Sequence, residues 1–178
     1  MLSFGQPLGA VMQVSFVVDD IEREVQHYAR TLGVGPFFYF PHFPAIDSKY
    51  RGEPSQADFG LALAFSGSMC IELIRQNDDA PSPFREHVAR RGFGMHHVAV
   101  STRTFDADLE RHLAAGMTAV GSAATAIGGR AVYLETPSSS GALLELIEMP
   151  PPVEQFFGMV HAAAQSWDGS EPLRVLGA

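Results

Sequence analysis

The sequence predicts an α+β fold of two tandem modules, each with the element order strand, helix and about three further strands. Two stretches share that order, and they begin with "MQVSFVVDDIEREVQHYARTLG" and "HHVAVSTRTFDADLERHLAAG". Each opens with alternating apolar residues, continues with apolar residues at helical spacing, and reaches a glycine where a helix would end. The repeat period is roughly 80 residues, which is too long for a solenoid and indicates a duplicated module.

The first module is predicted over about 10–76, and it begins with the strand "VMQVSFVV", whose apolar face starts at Met12. Asp19 or Asp20 is suited to cap the following helix, because a short carboxylate accepts hydrogen bonds from the free N–H groups at a helix start. Gly33 lies where that helix would end in a left-handed residue. The last strands of the module are predicted in "GLALAFSGSMCIELIRQ", with Ser and Gly in the turn.

A linker over 77–93 is predicted to hold a turn and a short helix, and the second module follows over about 94–149. Thr104 is the candidate cap of its helix, and Gly116 is the residue expected to end it. The last strands are predicted in "RAVYLETPSSSGALLELIEMP", again with Ser and Gly in the turn. The two modules and the linker together define one domain over 1–149.

Residues 150–178 lie beyond the repeat and are predicted to form a C-terminal helical extension. Apolar residues recur in it at helical spacing, namely Val153, Phe156, Phe157 and Val160. This stripe would pack either on the chain's own sheet or on a neighbouring subunit. We expect a homodimer, because an exposed apolar stripe requires cover.

Composition narrows the class of protein. Apolar residues make up 46% and charged residues 18% of the 178 residues, which is typical of a globular protein. The net charge of −8 argues against nucleic acid or an anionic membrane as a partner. No apolar run has the roughly 20 residues of a membrane span, and the N-terminus lacks the pattern of a signal peptide. We therefore expect a cytoplasmic protein that acts on a small molecule, with no intrachain disulfide because Cys70 is its one cysteine.

The first module is longer than the second, and the extra residues are expected in "FFYFPHFPAIDSKYRGEPS". This segment is rich in Phe, Pro and Tyr. One interpretation is a surface loop with a small apolar anchor of its own. The other is a roof over a pocket, to which it would contribute apolar walls.

Strand alternation predicts that four polar side chains share one face of the sheet. The bulkier apolar residues of each strand are expected to pack under the helices, so the residues between them point to the opposite face. On that face lie Gln13, Glu72, His97 and Glu145, one on each of four strands. The repeat aligns Gln13 with His97 and Glu72 with Glu145. His96 directly precedes His97 and is therefore predicted to face the helices.

Two carboxylates flanked by Leu and Ile need a partner, because an unpaired buried charge costs several kcal/mol. Glu72, Glu145, His97 and Gln13 would satisfy one another around a single divalent cation. Their three oxygen donors and one nitrogen donor suit Zn, Ni, Co, Mn or Fe(II), with water completing the coordination.

This arrangement resembles the vicinal oxygen chelate superfamily, which includes glyoxalase I, methylmalonyl-CoA epimerase, extradiol dioxygenases and bleomycin-resistance proteins. The resemblance covers about 10–149, and "IELI", "GFGMHHVAV" and "GALLELIE" are most similar to the glyoxalase and epimerase branch. It implies a cupped mixed sheet that holds one metal ion. The implied ligands are Gln13, Glu72, His97 (the second histidine of "HH") and Glu145.

The resemblance also implies a reaction. Isomerase and lyase members bind a substrate oxygen to the metal and stabilise an enediolate after a proton next to a carbonyl is lost. We expect Glu145 to be the base. Epimerases use a second acid or base, for which Asp58 and Glu53 are the candidates in this sequence.

Two other functions remain open. One is a small-molecule binding or resistance protein that uses the cup without a metal. The other is a ring-cleaving dioxygenase, which Gln13 disfavours because those enzymes hold iron with two histidines and one carboxylate.

Overall fold

The computed structural model describes residues 1–137 and 141–177. The first module contributes the elements β1 (Val11–Val17), α1 (Ile21–His27), β2 (Phe37–Phe40), β3 (Ala45–Tyr50), β4 (Glu53–Pro54), β5 (Phe59–Ser66) and β6 (Met69–Gln76). α1 continues as a π-helical turn over Tyr28–Leu32. The linking helix α2 spans Pro83–Arg91.

The second module repeats this order without counterparts of β3 and β4. Its elements are β7 (Gly94–Thr102), α3 (Phe105–Ala114), β8 (Thr118–Thr125), β9 (Arg130–Glu135) and β10 (Leu143–Glu148). Helix α4 (Pro151–Gln165) and the short strand β11 (Leu173–Val175) follow. The Ser-rich turn predicted between the last two strands falls on residues 138–140, which lie outside the described residues.

All the described strands form one mixed sheet in the order β11-β2-β5-β6-β1-β7-β10-β9-β8-β3-β4. Each module contributes four adjacent strands, and the two halves join where β1 pairs antiparallel with β7. The predicted α+β fold of two βαβββ modules in a cupped sheet is therefore confirmed. The extra residues of the first module form β3 and β4, and β3 crosses to pair with β8 at the far edge of the second module.

The helix ends follow the predicted chemistry at one helix more closely than at the other. The Asp20 side chain accepts a hydrogen bond from the N–H of Arg23 at 2.9 Å, and Gly33 ends the helical segment at φ 63°. Thr104 stands at the predicted start of α3, but its side chain makes no capping bond. Instead, the Thr102 hydroxyl accepts from the Thr104 N–H at 2.9 Å, so the capping atom comes from two residues earlier.

The two faces of the sheet carry separate cores. Under α1 and α3 lie clusters that include Val25 with Leu73, and Phe105 with Leu146. The opposite, concave face carries the largest cluster, and we call this face the cup. Met12 belongs to the cup, contrary to the prediction, because the β1–β7 register shifts between Val11 and Gln13 and moves Met12 to the other face.

Helix α4 lies across the cup. Val153, Phe157 and Val160 are buried in the cup cluster, and the helix packs against β5 of its own sheet. The apolar stripe of α4 therefore packs on the chain's own sheet, which was one of the two predicted alternatives, and a neighbouring subunit is not needed to cover it. In the described part of the chain, no helix combines the length and the apolar character that crossing a membrane requires.

Candidate metal centre

Four adjacent strands in the middle of the sheet carry the four predicted ligands. β6, β1, β7 and β10 lie side by side and contribute Glu72, Gln13, His97 and Glu145. Ser15 of β1 pairs with Glu72 on one side and with His97 on the other. Gln13 and Glu145 lie opposite the same residue of β7. Because paired residues point to the same face, the register brings all four side chains together in the cup.

The four side chains converge on His97. Its Nε2 lies 3.0 Å from Glu145 Oε2, 3.3 Å from Glu72 Oε2 and 3.4 Å from Gln13 Nε2. The ligand atoms of the two glutamates and the histidine lie within 4.8 Å of one another. All four residues are at least 95% buried, so water does not screen their charges.

Two oxygen atoms in this group have no hydrogen-bond partner in the structure, namely Gln13 Oε1 and Glu72 Oε2. Glu72 Oε2 lies near His97 Nε2 but outside hydrogen-bond geometry. A buried acceptor without a partner costs about 1–3 kcal/mol. A half-turn of the Gln13 amide would exchange its nitrogen and oxygen and point the oxygen at the group. The residues present therefore fit a divalent cation, which would satisfy both oxygens.

The pKa of His97 also indicates that a positive charge is favoured between the two carboxylates. Burial alone would lower the pKa of His97, but the carboxylates of Glu145 and Glu72 beside it raise the pKa to about 9. A positive charge is therefore favoured at this place even in the dry interior. A cation bound between the carboxylates would replace the imidazole proton in that role.

The prediction that His96 packs in the helix layer over the sheet is wrong, because His96 lies on the cup side against the linking helix α2, in contact with Phe84 and His87. Ser15 of β1 pairs with His97, and the next residue, Phe16, pairs with Met95. His96 is thus the extra residue of a β-bulge. A bulge interrupts the strict alternation of side chains, and the two imidazoles lie on the same side with ring centroids 5.1 Å apart.

The bulge brings the His96 ring into contact with the imidazole of His97, the candidate ligand. The two Nδ1 atoms of His96 and His97 are 2.8 Å apart, and His96 Nε2 lies 3.4 Å from the carbonyl oxygen of Pro83. Burial lowers the pKa of His96 well below its usual value, which keeps this ring neutral. A neutral His96 that donates from Nε2 to Pro83 accepts the Nδ1 proton of His97, and this leaves His97 Nε2 free to bind a metal.

Tyr133 is a site residue that the sequence reasoning missed. It lies on β9 directly opposite Glu145, and its ring centroid is 5.2 Å from that of His97. Burial and the charges of Glu145 and Glu72 raise the pKa of Tyr133 well above its usual value, so the phenol keeps its proton. The alternation in "RAVYLE" places Tyr133 on the face opposite Val132 and Leu134, and this signal could have found it.

A cavity of about 280 Å³ is lined at its base by three of the four candidate ligands, Gln13, Glu72 and Glu145. Phe40, Phe43 and Ser55 of the long segment in the first module line it, so of the two interpretations of that segment the structure supports the second, a contribution to the walls of a pocket. The candidates for a second acid or base are not among its lining residues. Asp58 is bound to His42 Nδ1 at 2.8 Å, and Glu53 is exposed on β4.

The fold and the site together define a class: a two-module α+β protein with a buried carboxylate, imidazole and amide group at the base of an apolar cup. The family model of the Glyoxalase/Bleomycin resistance protein/Dioxygenase superfamily matches residues 12–133. This chain belongs to that superfamily. No curated protein matches it in sequence.

Solved structures share the fold at low sequence identity. A hypothetical protein from Bacillus halodurans C-125 has a TM-score of 0.59 and 19% identity, over 80% of this chain and 95% of that one. The methylmalonyl-CoA epimerase of Mycobacterium tuberculosis has a TM-score of 0.56 and 19% identity, over 83% and 91%. A methylmalonyl-CoA epimerase in complex with methylmalonyl-CoA and NH4+ has a TM-score of 0.55 and 19% identity, over 82% and 97%.

Proposed function

We propose that this protein is a metal-dependent isomerase or lyase that removes a proton next to a carbonyl group, with Glu145 as the base. The observation that carries the proposal is the buried group of two carboxylates, one imidazole and one amide at the base of an apolar cavity. Burying such a group costs free energy, and costly buried ionisable groups beside a cavity are typical of functional sites.

Each residue of the group has a role in this proposal. Gln13, Glu72 and His97 would hold one divalent ion together with Glu145, and the ion would be Zn, Ni, Co, Mn or Fe. A bound divalent ion polarises a carbonyl oxygen and stabilises the negative charge that develops on it. Glu145 accepts the proton, and the protonated phenol of Tyr133 is placed to donate a hydrogen bond to its carboxylate.

The walls of the cavity serve the same reaction. Apolar side chains above the polar residues exclude water, which strengthens every electrostatic interaction between the polar residues and a bound substrate. The epimerases that share the fold support proton transfer next to a carbonyl as the reaction class. The substrate of those epimerases is not part of this proposal, because similarity of fold does not identify a substrate.

Hydrogen exchange tests the proposal directly. We expect the Zn²⁺-loaded protein in D₂O to exchange a proton next to the carbonyl of a genuine substrate, and the chelator-treated protein to lose that activity. Glu145→Gln keeps an oxygen donor without basicity, so it should retain metal and lose about 10²- to 10⁴-fold in rate. Glu110→Gln, at an exposed position of α3, is the matched control. Normal exchange by a metal-loaded Glu145→Gln protein would remove Glu145 from the role of base.

The apolar cavity favours one other function, a binding or resistance protein that uses the cup without a metal. Equal affinity for a small ligand with and without metal, with no exchange in any substrate, would support it. A ring-cleaving dioxygenase fits less well, because the group contains one histidine and two carboxylates.

A homodimer stays a prediction. The apolar stripe of α4 that motivated it is covered by the chain's own sheet, so the stripe no longer argues for a dimer. Light scattering measures the assembly. A mass of twice the 19.2 kDa of the chain supports the dimer, and a mass equal to that of one chain contradicts it.

A further inference from the structure

A continuous row of aromatic rings leads from helix α4 into the cup. The ring centroids of Phe156 and Phe40 are 5.9 Å apart, and those of Phe40 and Phe43 are 5.5 Å apart. Phe43 in turn stacks on Phe59 at 5.6 Å, with 28° between the ring planes. These four side chains come from α4, β2, the segment after β2, and β5, and all of them line the cavity.

The row of rings continues to His97, one of the four candidate metal ligands. Phe59 lies 5.0 Å from Phe84 of α2, and Phe84 lies 5.7 Å from Tyr133 of β9. Tyr133 then contacts His97. Rings at these separations attract one another and offer faces and edges on which a further ring can stack. A molecule bound in the cavity would therefore meet aromatic surface from Phe156 of α4 to Tyr133 beside His97.

Two cationic side chains line the cavity among the described residues, and one of them already forms ion pairs. Among the described residues that line the cavity, the cations are Lys49 and Arg130. Arg130 is paired with Asp106 at 2.8 Å and with Glu148 at 2.7 Å. Lys49 is exposed on β3 and has no carboxylate partner within the described part of the chain. One free positive charge suits one carboxylate or one other single anionic group.

The helix starts beside the cavity do not supply phosphate sites either. The Ser82 hydroxyl already accepts the N–H of Arg85 at the start of α2, and Pro83 has no N–H to offer. Helix α4 begins with Pro151 and Pro152, which likewise have none. A helix start binds phosphate through free N–H groups, and the prolines and the Ser82 cap reduce the number of such groups at both helix starts.

From these contacts we infer the substrate class: a small carbonyl compound with a ring-bearing apolar body and no more than one anionic group. A coenzyme A thioester, with its diphosphate and its further phosphate, does not match the single free cation. Lys49 is the partner of the anionic group where the substrate has one. The inference rests on the proposed function for the carbonyl, whereas the ring and the charge are argued from the cavity alone.

Binding to the Zn²⁺-loaded protein tests the inference by titration calorimetry. The probes are phenylpyruvate, which carries one carboxylate, uncharged 2-hydroxyacetophenone, and methylmalonyl-CoA. We expect both aryl compounds to bind at least about tenfold more tightly than the thioester. Tighter binding of the thioester than of either aryl compound would overturn the inference.

Variants locate the binding. Phe156→Ala should weaken both aryl compounds about tenfold, whereas Met159→Ala, at an exposed position of the same helix, should change neither. If Phe156→Ala does not fold, Phe43→Leu removes a ring and keeps apolar bulk. Lys49→Met should weaken phenylpyruvate and leave 2-hydroxyacetophenone unchanged. Unchanged aryl binding in a folded ring variant contradicts the inference.

The outcomes separate this inference from the proposed function. Metal-dependent exchange in the thioester, without binding of the aryl compounds, would leave the proposed function standing and overturn the substrate class. Tight binding of the aryl compounds that depends on Phe156, without exchange in any compound, would support the ligand class and refute the proton transfer.

Discussion

Replacing His96 by leucine should weaken metal binding although His96 is not itself a predicted ligand. The substitution removes the acceptor that lies 2.8 Å from His97 Nδ1. The Nδ1 proton of His97 would then be buried without a partner, because His97 is fully buried. Such a loss costs about 1–3 kcal/mol, which corresponds to roughly 5- to 150-fold in an equilibrium constant. Outer hydrogen bonds to metal ligands typically contribute 10- to 100-fold, which lies within that range.

Competition against a chromophoric Zn²⁺ chelator measures the affinity of each variant. We expect His97→Ala to lose most of its metal, His96→Leu to lose about 10- to 100-fold in affinity, and His96→Asn, which can still accept a hydrogen bond, to recover part of it. His87→Gln is the control, since the His87 ring also lies against His96, at 5.1 Å. Wild-type affinity in a folded His96→Leu protein would refute the positioning role. A loss as large as that of His97→Ala would make His96 a ligand.

Three further predictions concern stability. Zn²⁺ at about 100 times its dissociation constant should raise the free energy of unfolding by about 2.7 kcal/mol, and a chelator should reverse the gain, as followed by thermal denaturation. Hydrogen bonds from Thr102 and Thr104 and the contact with Arg111 lower the pKa of Asp108 to about 2. Asp108→Ala should therefore cost about 1 kcal/mol at neutral pH in urea denaturation, and the cost should shrink as the pH falls from about 4 towards 2, where the carboxylate is protonated. Removing 150–178 tests whether 1–149 is a domain by itself, and we expect a lower melting temperature and a dye-accessible apolar cup, because Val153 and Phe157 are buried there.

Much of the fold follows from the duplication alone. Both modules alternate apolar and polar residues along their first and last strands, and a strand with one side under helices has one allowed phase. That phase placed Gln13, Glu72, His97 and Glu145 on one face, and the structure brings these four together. The partner of β3 could not be predicted, since pairing with β8 joins residues far apart in sequence and depends on which sheet edge is free.

The errors near the site have one physical cause. A β-bulge inserts a single residue into a strand, and every alternation argument that crosses the bulge then assigns the wrong face. Two such shifts occur between β1 and β7, and they account for both Met12 and His96. Local sequence carries no mark of either shift, because the flanking residues keep a regular strand composition. Only the hydrogen-bond register of the neighbouring strand reveals them.

The polar base of the cavity lies on the repeated strands, whereas its aromatic walls also use segments outside the repeat. The repeated strands supply the polar residues at its base, two from each module. Part of the wall comes from segments without a counterpart in the repeat: Phe43 from the insertion in the first module, Phe84 from the linking helix and Phe156 from α4. Strands of the repeat supply further wall residues, among them Phe59 of β5 and Tyr133 of β9. The insertion and α4 meet through β2, where Phe40 contacts both Phe43 and Phe156. Exchanging the wall residues of the insertion, α2 and α4 is therefore expected to change which ligand the cavity prefers, while the four polar residues at its base stay in place.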